Sequence, residues 1–150
     1  MRSIAIDDEK KALEVISIYA NKIPSLDLIN TFSNPIEASQ FLASNQVDLL
    51  FLDINMPGLN GFDLLDSLAS PPLVIFTTAY SEYAVQSYQV DALDYLVKPI
   101  SFSRFLKAIN KAKEQLSFAQ QEDYNSPLLL KSGSVLHRVP LQEIIYLEAE

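Results

Sequence analysis

The 150-residue chain has no cysteine, one histidine and only three glycines. Each scarcity closes off some chemistry. Without cysteine there is no disulfide, no thiolate nucleophile and no thiolate metal site, and the absence fits a reducing compartment. We therefore expect a cytoplasmic protein. The lone histidine, His137, is far along the chain from the acidic motifs described below. A Ser-His-Asp or Cys-His arrangement and a multi-histidine zinc site are thus excluded. Gly58, Gly61 and Gly133 can spell neither a P-loop nor a dinucleotide fingerprint. No apolar run approaches the length of a membrane span, and the start MRSIAIDDEK lacks a signal-peptide pattern. Positive charge is scarce too. The net charge of −8 is not the electrostatic footprint of a nucleic-acid binder.

What remains is 49% hydrophobic and 20% charged, the composition of a soluble globular protein with one ordinary domain, or one domain plus a fragment. The organising stretch is Leu49 to Gly61, LLFLDINMPGLNG. Its apolar run, closed by a turn built from Asn55, Pro57, Gly58, Asn60 and Gly61, reads as a strand buried on both faces. Such strands belong to open α/β sheets, which bind ligands beyond the carboxyl ends of their strands. Asp53 stands at that end. Alone it could equally be a solvated residue opening a turn, so the other strands must decide.

Taken in order, Ser3 to Ile6 is an apolar strand ending in Asp7-Asp8. A helical face of Leu13, Ile16, Ala20 and Ile23 follows, closed by Pro24. Leu26 to Phe32 is a second strand, and Ala38, Phe41 and Leu42 mark a second helix. After the organising strand, Phe62, Leu64, Leu65 and Leu68 predict a third helix stopped by Pro71-Pro72. Leu73 to Thr77 is a fourth strand running on into Thr78, and a short helix is expected over Glu82 to Gln89. A fifth strand, Ala92 to Val97, ends in Lys98-Pro99. Phe102, Phe105, Leu106, Ile109, Ala112 and Leu116 then recur at helical spacing. Strand-helix alternation five times over predicts an α/β fold: a doubly wound, five-stranded parallel sheet with helices on both faces. We place this domain at residues 1–119, a polar linker at 120–126, and a short β-rich stub at 127–150. In the stub, Leu128 to Lys131 and Val135 to Val139 flank Ser132-Gly133-Ser134 as a hairpin, and Ile144 to Leu147 reads as a further strand.

The carboxyl ends of the strands carry Asp7 and Asp8, Asp53, Thr78 and Lys98. In a doubly wound sheet these ends lie side by side, so the groups should meet in one cleft. Three carboxylates close together repel one another unless cations join them. Lys98 supplies one charge, and Mg²⁺ suits the remaining oxygen donors. A carboxylate is a competent nucleophile toward phosphorus, and phosphoryl transfer needs its equatorial oxygens neutralised. The residues thus point to an Mg²⁺-dependent aspartyl-phosphate site, with Asp53 as nucleophile, Asp7 and Asp8 holding the metal, and Lys98 and Thr78 as phosphoryl clamps.

From about residue 2 to 119 the chain resembles a two-component response-regulator receiver domain. The matching pieces are Asp7-Asp8, DINMPGLNG around Asp53, TTAY with Thr78, and DYLVKP with Tyr95 and Lys98. The resemblance implies a flavodoxin-like sheet in the order 2-1-3-4-5, and phosphorylation of Asp53 by a sensor histidine kinase rather than turnover of outside substrates. It also implies Mg²⁺ held by Asp8, Asp53 and the backbone carbonyl of Asn55, with Asp7 acting largely through water, and a cis Lys98–Pro99 peptide. Thr78 and Tyr95 would be the switch. Asn55 and Tyr80, flanking the approach of a hydrolytic water, would tune the lifetime of the phosphate. Lys10, where many relatives have other residues, often proline, should leave the metal site intact. Thr77 reads as an ordinary β-branched strand residue. Homodimerisation is expected on the face of the fourth helix, fifth strand and last helix, with Tyr83, Val85, Tyr88 and Val90 as apolar contacts.

The segment VPLQEIIYLEAE resembles the opening of a LytTR-type DNA-binding domain, which implies a LytR/AlgR-type transcriptional regulator whose C-terminal domain is truncated here. Glu143, Glu148 and Glu150 outweigh Lys131 and Arg138, so DNA should be bound only by the full-length protein, not through this chain. His137 reads as a strand-face residue, and the stub's strand edges are open to pairing with another copy. Two other classes compete. A receiver-fold docking module would work without phosphorylation. An aspartate-nucleophile phosphatase usually carries a second carboxylate two residues after the nucleophile, where this chain has Asn55.

Overall fold

The computed structural model describes residues 1–80, 91–125, 128–132 and 135–139, with side chains through residue 119. Residues Met1–Ala112 and Lys113–Glu150 form two separate compact units. The first holds a parallel sheet of five strands: β1 (Arg2–Ile6), β2 (Asp27–Phe32), β3 (Leu49–Asp53), β4 (Leu73–Thr78) and β5 (Asp94–Val97), in the order β2-β1-β3-β4-β5. The helices are α1 (Lys10–Ala20), α2 (Pro35–Ser44), α3 (Gly61–Asp66) and α4 (Phe102–Asn125), the last ending in the second unit.

β3 is central and buried at all five positions because both its neighbours and both its faces are covered. Period-2 alternation divides its side chains between two cores. Leu49 and Phe51 join Ile75, Leu96, Phe105 and Ile109 on the α1/α4 face. Leu50 and Leu52 join Ile4, Ile6, Phe76, Phe62 and Leu64 on the α2/α3 face. Each such side chain contributes roughly 1.5–3 kcal/mol by leaving water. Phe51 stacks on Phe105 with ring centroids 5.2 Å apart, which ties α4 to the middle of the sheet. The edge strands are less buried. β2 has only exposed and half-buried positions, as a strand without an outer neighbour can.

Side-chain caps start two of the helices. Asn34 and Asn60 accept the backbone N–H groups of Ile36 and Asp63, both at 2.9 Å, and so start α2 and α3. The third helix is shorter than its apolar spacing predicts. It ends at Asp66, because the Ser67 amide and hydroxyl bond the carbonyls of the last turn, and Leu68 and the two prolines follow outside it. α1 likewise ends at Ala20, and Ile23 packs into the core from the following turn. β5 begins at Asp94, two residues later than expected. Residues 120–125, read as a linker, continue α4 as helix. In the second unit, β6 (Leu128–Ser132) and β7 (Val135–Val139) pair antiparallel, as the hairpin pattern predicted, with His137 opposite Leu130. The helix predicted over 82–89 and the strand over 144–147 lie outside the described residues.

Candidate functional site

Apart from Ser3, the buried polar residues among those described, Asp7, Asp53, Thr77 and Thr78, gather at the carboxyl edges of β1, β3 and β4. Asp53 ends β3, 3% exposed, in register with Thr77 of β4. Its loop returns tightly: the Gly61 amide donates to the Ile54 carbonyl at 2.9 Å, Met56 is buried, and Gly58 takes the left-handed backbone that glycine allows. A Cβ at Gly61 would collide with the backbone carbonyl of Asp53, so only glycine lets α3 begin this close to the site. Asp7 follows β1 and is fully buried. Its amide donates to Phe32 at 3.0 Å, and its Oδ1 accepts the Glu9 amide at 2.9 Å. Asp8 is exposed, and oxygens of Asp7, Asp8 and Asp53 all lie within 4.8 Å of one another.

Lys98 reaches this cluster from the end of β5. Its backbone N–H donates a hydrogen bond to the Thr78 carbonyl at 2.7 Å, and the Lys98–Pro99 peptide is cis. Its Nζ stands 2.9 Å from Asp7 Oδ2, 3.0 Å from Glu9 Oε1 and 3.2 Å from Asp53 Oδ1. The ammonium is not directed along Asp7 Oδ2, which is left buried without an aligned hydrogen bond. Burial works against the Lys98 charge, but contacts with Asp7 and Glu9 and the charge of Asp53 outweigh it and hold its pKa above the ordinary lysine range. The Asp53 pKa is raised as well. Burial, then repulsion from Asp7, push its pKa up to about 6 despite Lys98.

The balance of charge is therefore one ammonium against several carboxylates. A buried oxygen without an aligned donor, a raised Asp53 and an all-oxygen donor set fit a hard divalent cation such as Mg²⁺.

Thr78 is fully buried at the end of β4, and its Oγ1 accepts the Tyr80 amide at 3.1 Å. Among the described residues no hydrogen bond joins it to Asp53. Tyr95 on β5 is half-buried and stacks on Phe76, centroids 5.6 Å apart, and burial raises its hydroxyl pKa. Asn55 and Tyr80 are exposed on the loops around Asp53. Thr77 is fully buried, and its hydroxyl has no partner among the described residues. Tyr83, Val85, Tyr88 and Val90 lie outside those residues.

Sequence reasoning assigned no role to Glu9, although the run Asp7-Asp8-Glu9 held the signal of a third acid. It also missed the clamp between Asp94 and Arg104. Arg104 Nη1 and Nη2 donate to the two oxygens of Asp94 at 2.9 and 2.6 Å, and Nη2 also donates to the Tyr95 carbonyl at 2.9 Å. No sequence periodicity marks that pair.

A flavodoxin-like sheet with its acidic cluster and lysine at the carboxyl edge is the class that fold and site define. Within it, the chain belongs to the response regulator receiver domain family, which residues 4–110 match. It is 35% identical over 127 residues to the sensory transduction protein LytR of Staphylococcus haemolyticus, covering 83% of this chain and 50% of that protein. It is 32% identical to the sensory transduction protein LytT of Bacillus subtilis, covering 100% of this chain and 66% of LytT. The chain spans about half the length of the first of these curated relatives. Among solved structures, the response regulatory domain of mrkE from Klebsiella pneumoniae superposes with a TM-score of 0.66 at 32% identity, over 81% of this chain and 99% of that one. The chain is thus a receiver domain of a two-component system, close to the LytR and LytT regulators. Among the described residues no helix is long and apolar enough to cross a membrane.

Proposed function

We propose that Asp53 accepts a phosphoryl group from a sensor histidine kinase in an Mg²⁺-dependent reaction. The observation that carries this reading is Asp53 itself: a buried carboxylate at the end of the central strand, 3.2 Å from Lys98 and beside Asp7 and Asp8. With its pKa near 6 it is mostly ionised at neutral pH, so a nucleophile is available without a separate base. One Asp53 oxygen attacks phosphorus as the bond from phosphorus to the donor breaks, and the electron pair leaves with the donor. Lys98 stands ready to neutralise a phosphoryl oxygen. Mg²⁺, when bound, would neutralise further charge on the phosphoryl oxygens, and Asp7, Asp8, Asp53 and the Asn55 carbonyl are the groups proposed to hold it. Thr78 is proposed to give up its bond to the Tyr80 amide for the phosphoryl group, and Tyr95 to move with it as the second half of the switch.

On this reading residues 1–119 are the receiver, and residues 127–150 open a LytTR-type DNA-binding domain. The relatives' names include sensory transduction protein and transcriptional regulatory protein, which supports transcription regulation as the output. A homodimer through the face of the helix expected over 82–89, β5 and the last helix, and a cytoplasmic location, belong to the same proposal. The test is incubation with acetyl phosphate and Mg²⁺, followed by intact mass, beside an Asp53→Asn control. One added phosphoryl group that requires Mg²⁺ and is absent in the control is the expected result. No gain in the parent, with Mg²⁺ binding shown separately, would favour a docking module that works without phosphorylation.

A further inference from the structure

The Lys98 ammonium lies near three carboxylates, Asp7 at 2.9 Å, Glu9 at 3.0 Å and Asp53 at 3.2 Å, and among the described residues its aligned hydrogen bond goes to Glu9. A phosphoryl group on Asp53 would take over that residue's own contact and bring further oxygens that compete for the ammonium with Asp7 and Glu9. Asp7 is poorly suited to yield. It is fully buried, its Oδ1 is held by the Glu9 amide, and water cannot replace Lys98 at Oδ2. Glu9 differs in every respect. Its side chain is 64% exposed and would be rehydrated on release.

A second observation singles out the same side chain. Glu9 occupies the N-cap position of α1, where a short polar side chain would bond a free amide of the first turn. It makes no such bond. Its carbonyl accepts the amides of Ala12 and Leu13, while its carboxylate turns away to Lys98.

We propose that Glu9 is a positioning residue for the phosphoryl site: an exposed latch that holds Lys98 in the unmodified protein and releases it when Asp53 is phosphorylated. The proposal rests on the reading of Asp53 as phosphoacceptor. Because Glu9 competes with the incoming group, removing its contact should favour phosphorylation. An exposed ion pair of this kind is worth about two- to fivefold.

The test compares the full chain with Glu9→Gln and Glu9→Asp. Two readouts are followed at saturating Mg²⁺: the rate of mass gain from acetyl phosphate, and the affinity for beryllofluoride by calorimetry, which involves no transfer step. Glu9→Gln should raise both by about two- to fivefold. Glu9→Asp keeps the charge but is one methylene shorter and suits the vacant cap, so it should follow Glu9→Gln and also raise the unfolding midpoint. If Glu9→Asp matches the parent while Glu9→Gln does not, the local field acts rather than the contact, and the latch is overturned. Equal values for all three proteins overturn it too. A parent that gains no mass and binds no beryllofluoride fails at the phosphoacceptor reading itself, a result distinct from either, and the latch falls with it.

Discussion

Strand β5 carries two charged clusters, one at each end, and they are built on opposite principles. At its first residue, Asp94 is gripped by both arms of the Arg104 guanidinium. Burial alone would raise the Asp94 pKa, but the Arg104 hydrogen bonds, the Tyr95 amide and the Arg104 charge bring it below the ordinary carboxyl value. Just past the other end, Lys98 is shared among Asp7, Glu9 and Asp53, and the Asp53 pKa rises to about 6. A carboxylate with a dedicated bidentate partner is a fastening. A buried carboxylate that must share its partner retains unsatisfied negative charge, and that is a demand for another cation or for reaction.

Three measurements would break or sharpen this contrast. The largest effect is expected from Lys98→Met, which leaves Asp7 buried with no cation. Urea unfolding at pH 8 with a chelator should show a loss of about 3 kcal/mol, the cost of removing one partner from a buried ion pair. A loss no larger than that of an exposed lysine would mean that the cluster tolerates its excess acid. Next is Asp53→Asn, where the sign runs opposite. The folded pKa of Asp53 lies above the unfolded value, so the folded state holds its proton more tightly. That contribution is complete below about pH 4 and is lost as pH rises through about 6. Without divalent ions, Asp53→Asn should therefore be more stable than the parent at pH 8, by up to about 3 kcal/mol. The two should converge near pH 4, and added Mg²⁺ should narrow the gap at pH 8. An equally stable or weaker variant at pH 8 would remove the argument for unsatisfied charge.

The smallest effect belongs to the matched pair. Arg104→Met should cost about 1 kcal/mol at neutral pH, because the pair is partly exposed. Here the folded carboxyl is depressed, so its contribution is present above the unfolded pKa and is lost as pH falls through the folded value. The penalty of Arg104→Met should therefore shrink in acid, where that of Lys98→Met shrinks as well while the gain of Asp53→Asn disappears. Arg104→Lys, which keeps the charge but loses the fork, should recover only part of the loss. Full recovery would make the clamp a simple charge contact.

Much of this was legible in the chain. The unbroken run Leu49–Leu52 announced a strand covered on both sides, and the strand-helix alternation announced a parallel sheet. Asp7, Asp8, Asp53 and Lys98 were each readable as strand-end polar groups, and they do meet at one edge. Boundaries set by a single polar contact were not legible. Ser67 ended α3 ahead of the prolines because its amide and hydroxyl reached the last-turn carbonyls first. QQEDYN looked like a linker because it has no apolar face, yet a helix already running through Phe102 to Leu116 carries through it, since propagation adds a bond per residue without a new nucleus.

By itself, then, the sequence determined the fold class and the inventory of the site, because both follow from hydrophobic period and from which residues stand where strands end. Only the tertiary structure decided how the charges divide. Coulomb interactions depend on distance and burial, not on separation along the chain. Folding is what set Glu9 and Asp7 beside Lys98 and gave Asp94 an arginine of its own.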